Sequence, residues 1–441
     1  MYSKFSASRQ CRKAAATLLA AVVLVAASLA QAADVTPHRA RSAWCADRCD
    51  ELVIDWNATA YQVIKASDGY SDPLHASRAL AMMHLAMHDA INAARPRYAT
   101  YTSSERDAAS DPAIAGVSAA HDVLAALYPK QQETLLKAAL DKSMVDAGLG
   151  ADVVRGTALG KRVAADVLRR RAADGSGATE AYKPGDRPGQ YRFTPGFDLV
   201  VHPQWRTVQP FALSNPGQFR VAPPPSLRSN AYTVAFNEVK SVGTKAADAK
   251  RIPDDTYLAA FWYEFSDIGW NRIARVVSRD HQQDLWQRAR TFALLNAAMA
   301  DAYIAGWDSK MHYDFWRPVT AIRAADTDGN PDTTADAGFT PLMVSPPVQD
   351  HPSTHSALGA AAATVLAHAF GRDHLKFTMA SPSALPASPT RTFRSFSEAA
   401  RENADSRVKA GIHFRFATDE GLKLGNNVGR HVAQTLLVAQ D

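Results

Sequence analysis

HPSTHSALGAAAATVLAHAFG, residues 351–371, decides how the rest of the chain is read. Ser353 or Thr354 stands just ahead of an alanine-rich run from His355 to Phe370, and Gly371 follows it. That order predicts a capped helix whose first free N–H groups face whatever Ser353 and His355 face. Such a helix start attracts anions. Two clusters flank it. Upstream, KMHYDFWRP at 310–318 sets Lys310 seven residues before Arg317. On one helix the pair falls within about 20°, two turns apart, so long side chains can converge, and Pro318 predicts the helix end. Downstream, SRVKAGIHF at 406–414 sets Arg407 six residues before His413. That is roughly 120° around a helix, so the two share a ligand only through the length of arginine, or if the helix ends between them. Three fixed cations, two imidazoles and a helix start make a pocket for a compact tetrahedral oxyanion.

Elsewhere helical periodicity dominates. Apolar residues at three- and four-residue spacing predict helices near 75–94, 111–128, 130–146, 150–173, 229–241, 255–265, 279–315, 355–369, 395–412 and 418–438. Strand alternation is scarce. Residues 175–228, rich in Pro and Gly, read as a long irregular crossover able to wall a substrate entrance. A second loop, 324–352, delivers the chain to His355. The expected fold is all-α: two packed helical bundles, the first spanning 33–245 with the crossover, the second spanning 246–441 and holding the oxyanion pocket.

Residues 1–32 read as a secretory signal peptide: Lys4, Arg9, Arg12 and Lys13, an apolar run from Ala14 to Ala30, and Ala30-Gln31-Ala32 as the cleavage site. The expectation is export to the periplasm or beyond. These four cations, with no acid among them, account for most of the formal charge of +5. The basic balance is therefore no argument for nucleic acid or membrane binding. No later segment reaches the ~18 apolar residues of a bilayer span. Cys45 and Cys49 remain after cleavage as an even pair, either bridged or free.

The ordered pattern Lys-x6-Arg-Pro, Pro-Ser-x-His, Ser-Arg-x3-Gly-x-His resembles the vanadium-dependent haloperoxidases and the related acid phosphatases of the phosphatidic-acid-phosphatase superfamily. VIDWN at 53–57, ASRALAMMHLAMHDAINA at 76–93, FWYEF at 261–265 with Trp270, and AADTDGNPDT at 324–333 are similar to the bacterial haloperoxidase branch. The resemblance implies a vanadate cofactor, which phosphate can replace. His413 is the implied axial nitrogen ligand. Lys310, Arg317 and Arg407 neutralise the equatorial oxygens, and Ser353 with the Thr354 N–H donates further hydrogen bonds. His355 is the implied acid–base group toward hydrogen peroxide, Lys310 polarises the peroxide toward halide, and a small organic acceptor takes the product. Trp307 matches a position lining the halide side, and Glu264 one whose acid pairs with the third-motif arginine. The resemblance leaves halide preference and oligomeric state open, a homodimer included.

Three positions depart from the pattern. Ala417 stands where phosphatases place an Asp four residues after the nucleophilic histidine, which weakens the phosphatase alternative with its phosphohistidine intermediate. Thr354 replaces a usual glycine, and Val348 stands where an aromatic or histidine is common near the halide. A noncatalytic oxyanion-binding homologue is the remaining alternative. Singly, each cluster has a plainer reading: a solvated cationic face, a helix cap, a satisfied polar histidine. Their joint order outweighs it. Two metal-like motifs are read as structural. His84 and His88 lie on an apolar helix, and Asp326, Asp328, Asn330 and Asp332 lack the glycine position and final glutamate of a calcium loop.

Overall fold

Apolar residues at helical spacing fold into helices almost wherever the sequence carries them. The computed structural model describes residues 48–148 and 153–440. Its α-helices are α1 (Leu52–Asp68), α2 (Pro73–Ala94), α3 (Pro112–Leu127), α4 (Lys137–Ala147), α5 (Val153–Arg171), α6 (Asn230–Val242) and α7 (Pro253–Phe261). They continue as α8 (Ser266–Asp280), α9 (Leu285–Tyr313), α10 (Pro318–Arg323), α11 (Thr354–Ala369), α12 (Phe396–Lys409) and α13 (Arg415–Thr435). Side-chain caps set several starts: Asp72 and Asp111 accept backbone N–H bonds ahead of Pro73 and Pro112, Asp284 forms a capping box with Gln287, and Ser353 caps α11. No described helix is long and apolar enough to cross a membrane. The signal peptide and Cys45 lie outside the described residues. Cys49 is disulfide-bonded.

The structure corrects several boundaries. The single helix expected over 279–315 is interrupted where Gln282 takes φ 47° and Asp284 caps a new helix. Three helices, α1, α8 and the six-residue α10, lie where none is expected. In α8, Trp270, Ile273, Ala274 and Val277 do repeat at helical spacing, but over one short stretch opposite Arg272, Arg275 and Arg279. A small antiparallel pair, β1 (Phe377–Ala380) and β2 (Thr390–Phe393), aligns Phe377 with Phe393. Four-residue strands are too short for alternation to reveal them.

Helix α9 packs against α2 on one side and α11 on the other, so it belongs to both groups of helices. Within the C-terminal group the tightest approach is α11 to α13. A Cβ at Gly421, Gly425 or Gly429 would lie 2.3, 2.0 and 2.7 Å from the carbonyl oxygens of Ser353, Ala357 and Ala361. Glycine every fourth residue gives α13 a bare ridge on which the backbone of α11 rests. The crossover is fastened to α9: the buried Asp301 carboxylate accepts N–H bonds from Phe211, Ala212 and Leu213 at 2.6, 2.8 and 3.0 Å. His351 Nε2 meets Ala222 O at 2.8 Å, tying the crossover to the segment before α11.

Candidate functional site

Lys310 and Arg317 converge, but not along one helix as expected. α9 ends at Tyr313, Asp314 turns the chain with φ 48°, and Arg317 precedes Pro318 at the start of α10. Proline cannot continue a helix but fits its first position, so this one begins a helix instead of ending one. Arg407 lies in the last turn of α12 and His413 in the turn beyond it, so the helix does end between them.

All three cations are buried: Lys310 is 0% exposed, Arg317 and Arg407 1% each. Their partners are mostly carbonyls from the loop before α11. Lys310 Nζ donates to Gln349 O at 2.5 Å and Asp350 O at 3.2 Å. Arg317 Nε donates to Val348 O and its Nη1 to Ile412 O, both at 2.7 Å. Arg407 Nη1 reaches Trp262 O at 3.2 Å, while its buried Nε has no hydrogen-bond partner. Burial weakens the hold of all three on their protons, Arg407 being brought down to about 10, and for Lys310 the neighbouring Arg317 adds to the effect.

The one acid among these cations was not singled out in the sequence. Asp350, three residues before Ser353, is 0% exposed, and its Oδ1 lies 2.9 Å from His413 Nδ1 and 3.8 Å from Arg317 Nη1. The His413–Asp350 pair is close without the alignment of a hydrogen bond. Burial, outweighing both cations, lifts the Asp350 carboxyl to about 7. On the other edge of the ring Arg317 Nη1 lies 2.9 Å from His413 Nε2. Arginine can only donate there, so the Nε2 lone pair faces the cations and the ring proton sits on Nδ1, toward Asp350.

His355 occupies the first turn of α11. Its Nε2 donates to Glu264 O at 3.0 Å, which leaves the lone pair on Nδ1. Both histidines are held neutral well below their ordinary range, first by burial and then by the cations beside them. Ser353 Oγ accepts from Ser356 N at 3.4 Å and lies 3.1 Å from Ser356 Oγ, so its own proton can serve a ligand. The Thr354 methyl fits against Gly306, where a Cβ would lie 2.5 Å from Thr354 Cγ2. A glycine on α9 thus makes room for the threonine on α11.

Three further residues fall nearby. Trp307 is buried and donates from Nε1 to Val201 O at 3.0 Å. Val348 is buried and contributes its carbonyl to Arg317. Glu264 requires a correction: its carboxylate pairs with both Arg272 terminal nitrogens at 2.8 and 2.9 Å, not with Arg407. Only its backbone carbonyl serves the site. An i, i+8 arginine on the facing helix α8 claims the acid first. His84 and His88 are core residues, joined to Asn57 and Asp89. Asp328 and Asn330 fold the 326–333 stretch into a turn through backbone N–H bonds.

A helical protein that buries three cations around two neutral imidazoles and a single carboxylate is of the class that holds an oxyanion. Residues 290–439 match the family described as the VCPO second helical-bundle domain. The chain is 27% identical to the vanadium chloroperoxidase of Curvularia inaequalis, across 82% of this chain and 78% of that protein. The structure superposes on the first bacterial vanadium-dependent iodoperoxidase with TM-score 0.77 at 24% identity, covering 89% of this chain and 98% of that one. For a holo-type bacterial vanadium-dependent chloroperoxidase the TM-score is 0.67 at 18% identity, covering 87% and 96%. Over residues 290–439 the chain thus matches the vanadium chloroperoxidase family, and its fold is that of the bacterial vanadium-dependent haloperoxidases.

Proposed function

We propose that the protein is a vanadate-dependent haloperoxidase, exported from the cell, that uses hydrogen peroxide to oxidise halide to a hypohalous acid equivalent for a small organic acceptor. The observation that carries this is the burial of Lys310, Arg317 and Arg407 around one carboxylate, with the Arg407 Nε unpartnered. Buried cations in such excess need an anion. The residues fit vanadate. Lys310, Arg317 and Arg407 would hold its oxygens, Ser353 and the Thr354 N–H would donate to it, and His413 would bind it through the Nε2 lone pair. Vanadate, when bound, supplies a Lewis acid that activates peroxide.

The chain's own residues do the rest. Asp350 beside Nδ1 keeps His413 presenting Nε2. His355, braced by Glu264 O, takes a proton from peroxide on Nδ1. Its depressed pKa makes it a weak base while the cations are unbalanced, and a bound oxyanion strengthens it. Lys310, pinned by two carbonyls, directs its charge at the peroxide.

A phosphatase reading of the same pocket gains from one observation. Asp350 Oδ1 stands 2.9 Å from His413 Nδ1, close enough to serve in place of the acid missing at Ala417. In that reading His413 Nε2 attacks phosphorus and His355 protonates the leaving group. Protein stripped of oxyanion separates the readings. Halogenation of an acceptor dye that requires orthovanadate, peroxide and chloride, bromide or iodide supports the haloperoxidase. Aryl phosphate hydrolysis blocked by vanadate, without halogenation, replaces it with the phosphatase. Oxyanion uptake with neither reaction leaves a binding protein.

A further inference from the structure

Away from the oxyanion pocket, Asp72, His75 and His202 bring three ligand-type atoms together at the foot of α2. We propose that they bind a divalent cation of the zinc class and so clamp the crossover to the N-terminal helices. Asp72 Oδ2 lies 2.7 Å from His75 Nδ1 and 2.9 Å from His202 Nε2. Ligands around tetrahedral zinc are about 3.3 Å apart, so an opening of roughly half an ångström admits the ion. Asp72 Oδ1 is meanwhile fixed as the cap of α2, accepting from His75 N at 3.2 Å, which leaves Oδ2 directed at both rings. All three side chains are partly exposed, at 27 to 38%, so an ion and a water as fourth ligand have access.

A second observation singles out His202. It holds a left-handed backbone with φ 43°, unusual for a side chain of this size, in a segment with no glycine beside it. That conformation is what turns the ring toward Asp72. Gln204 lies 3.3 Å from His202 Nδ1 on the far edge, and with its amide turned it can accept the Nδ1 proton of a metal-bound ring. Trp205 packs edge-on to His75, its centroid 4.8 Å away.

The position gives the clamp a consequence. Val201, next to His202, accepts from Trp307 Nε1 at 3.0 Å and donates to Pro347 O at 3.1 Å. It therefore touches both α9, three residues from Lys310, and the loop whose carbonyls hold Lys310 and Arg317. Fixing His202 fixes the wall of the oxyanion pocket.

The test titrates chelator-treated full-length protein with zinc chloride at about pH 7.5 and measures bound zinc by equilibrium dialysis, with cobalt(II) as a spectroscopic substitute. The expected result is one equivalent bound, a raised melting temperature, and a cobalt spectrum of histidine ligation. His202→Gln and Asp72→Asn should each weaken binding at least about tenfold and remove the thermal response, with circular dichroism unchanged. His413→Ala should keep the equivalent, which assigns it away from the oxyanion pocket. No zinc bound by the wild type, unchanged binding in His202→Gln, or loss of the equivalent in His413→Ala each overturns the proposal.

Discussion

Two pairs of histidines, placed in different parts of one fold, separate a structural polar network from a candidate functional one. His84 sits in a chain of amides that meets one half-buried cation: Asn57 Nδ2 is 2.9 Å away, Asn57 reaches Asn271 at 2.8 Å and accepts from Arg275, and Asn271 reaches Asn296 at 2.8 Å. Burial, with the Arg275 guanidinium adding to it, brings His84 down to about 3, and the ring is neutral. Nearby, the Asp89 carboxylate beside His88 is matched by N–H bonds from Tyr101 and Thr102 at 2.8 Å each. At the other site His355 and His413 face Lys310, Arg317 and Arg407, with only Asp350 opposing them. Both regions bury polar groups. Only one buries charge in excess, and that marks the place where a ligand completes the structure.

Substitutions can break this contrast. The largest effect is expected from the site histidines. His355→Ala should lower halogenation by at least about a hundredfold while keeping much of its vanadate affinity, whereas His413→Ala should lose vanadate itself. Vanadate titration followed by peroxide kinetics checks this, and equal affinities in the two variants would contradict the separate roles. Next comes the glycine ridge of α13. Gly421→Ala and Gly429→Ala should each destabilise by about 1–3 kcal/mol in denaturant unfolding, since both push on α11 carbonyls. Only Gly421→Ala, pressing on Ser353 O, should also weaken vanadate binding.

Acidification sharpens the comparison further. Folded His355 and His413 have pKa values below the ordinary 6.5, so below that pH the unfolded chain binds more protons and stability falls. Lys310, depressed below 10.5, acts in the same direction at higher pH, outside the window of the imidazoles. Asp350 opposes them: its carboxyl is raised to about 7, so its contribution is complete below 3.8 and is lost as pH rises toward 7. The depressed groups outnumber it. The melting temperature should therefore drop between about pH 7.5 and 5.5, each imidazole contributing at most about 1.4 kcal/mol per pH unit. Added phosphate should flatten the drop by drawing the histidine pKa values upward; an identical slope with and without it would sink the account. The smallest functional effect belongs to the other network. His84→Ala should cost about 1–3 kcal/mol of stability through the partners it leaves unpaired, yet leave vanadate affinity unchanged.

The residues of the pocket were legible because its groups are chemically unusual and lie in three short segments, each tied to a helix boundary. Lys310, Arg317, Ser353, His355, Arg407 and His413 could all be named that way. Their geometry was less so. The Lys310–Arg317 spacing fitted one helix, and only the left-handed Asp314 showed that two helices meet there. Asp350 carried a weak signal, one acid inside PVQDHPSTH, and nothing in the spacing tells which ring it faces. Glu264 carried a stronger one and was claimed by Arg272, a competition decided by packing. The α8 helix and the strand pair were too short for periodicity to register.

By itself the sequence determined the helical class, the capped α11 and the identity of the groups that line the proposed oxyanion pocket, because hydrophobic period, capping chemistry and side-chain charge are local properties. The tertiary structure alone decided which carbonyls hold which cation, that Asp350 and not a neighbour of His413 supplies the carboxylate, and that Asp72 and His75 meet His202 across more than a hundred residues. Those outcomes depend on how close two backbones can come, which is set by the bare ridge of α13, by Gly306 under Thr354 and by the fastening of the crossover to Asp301.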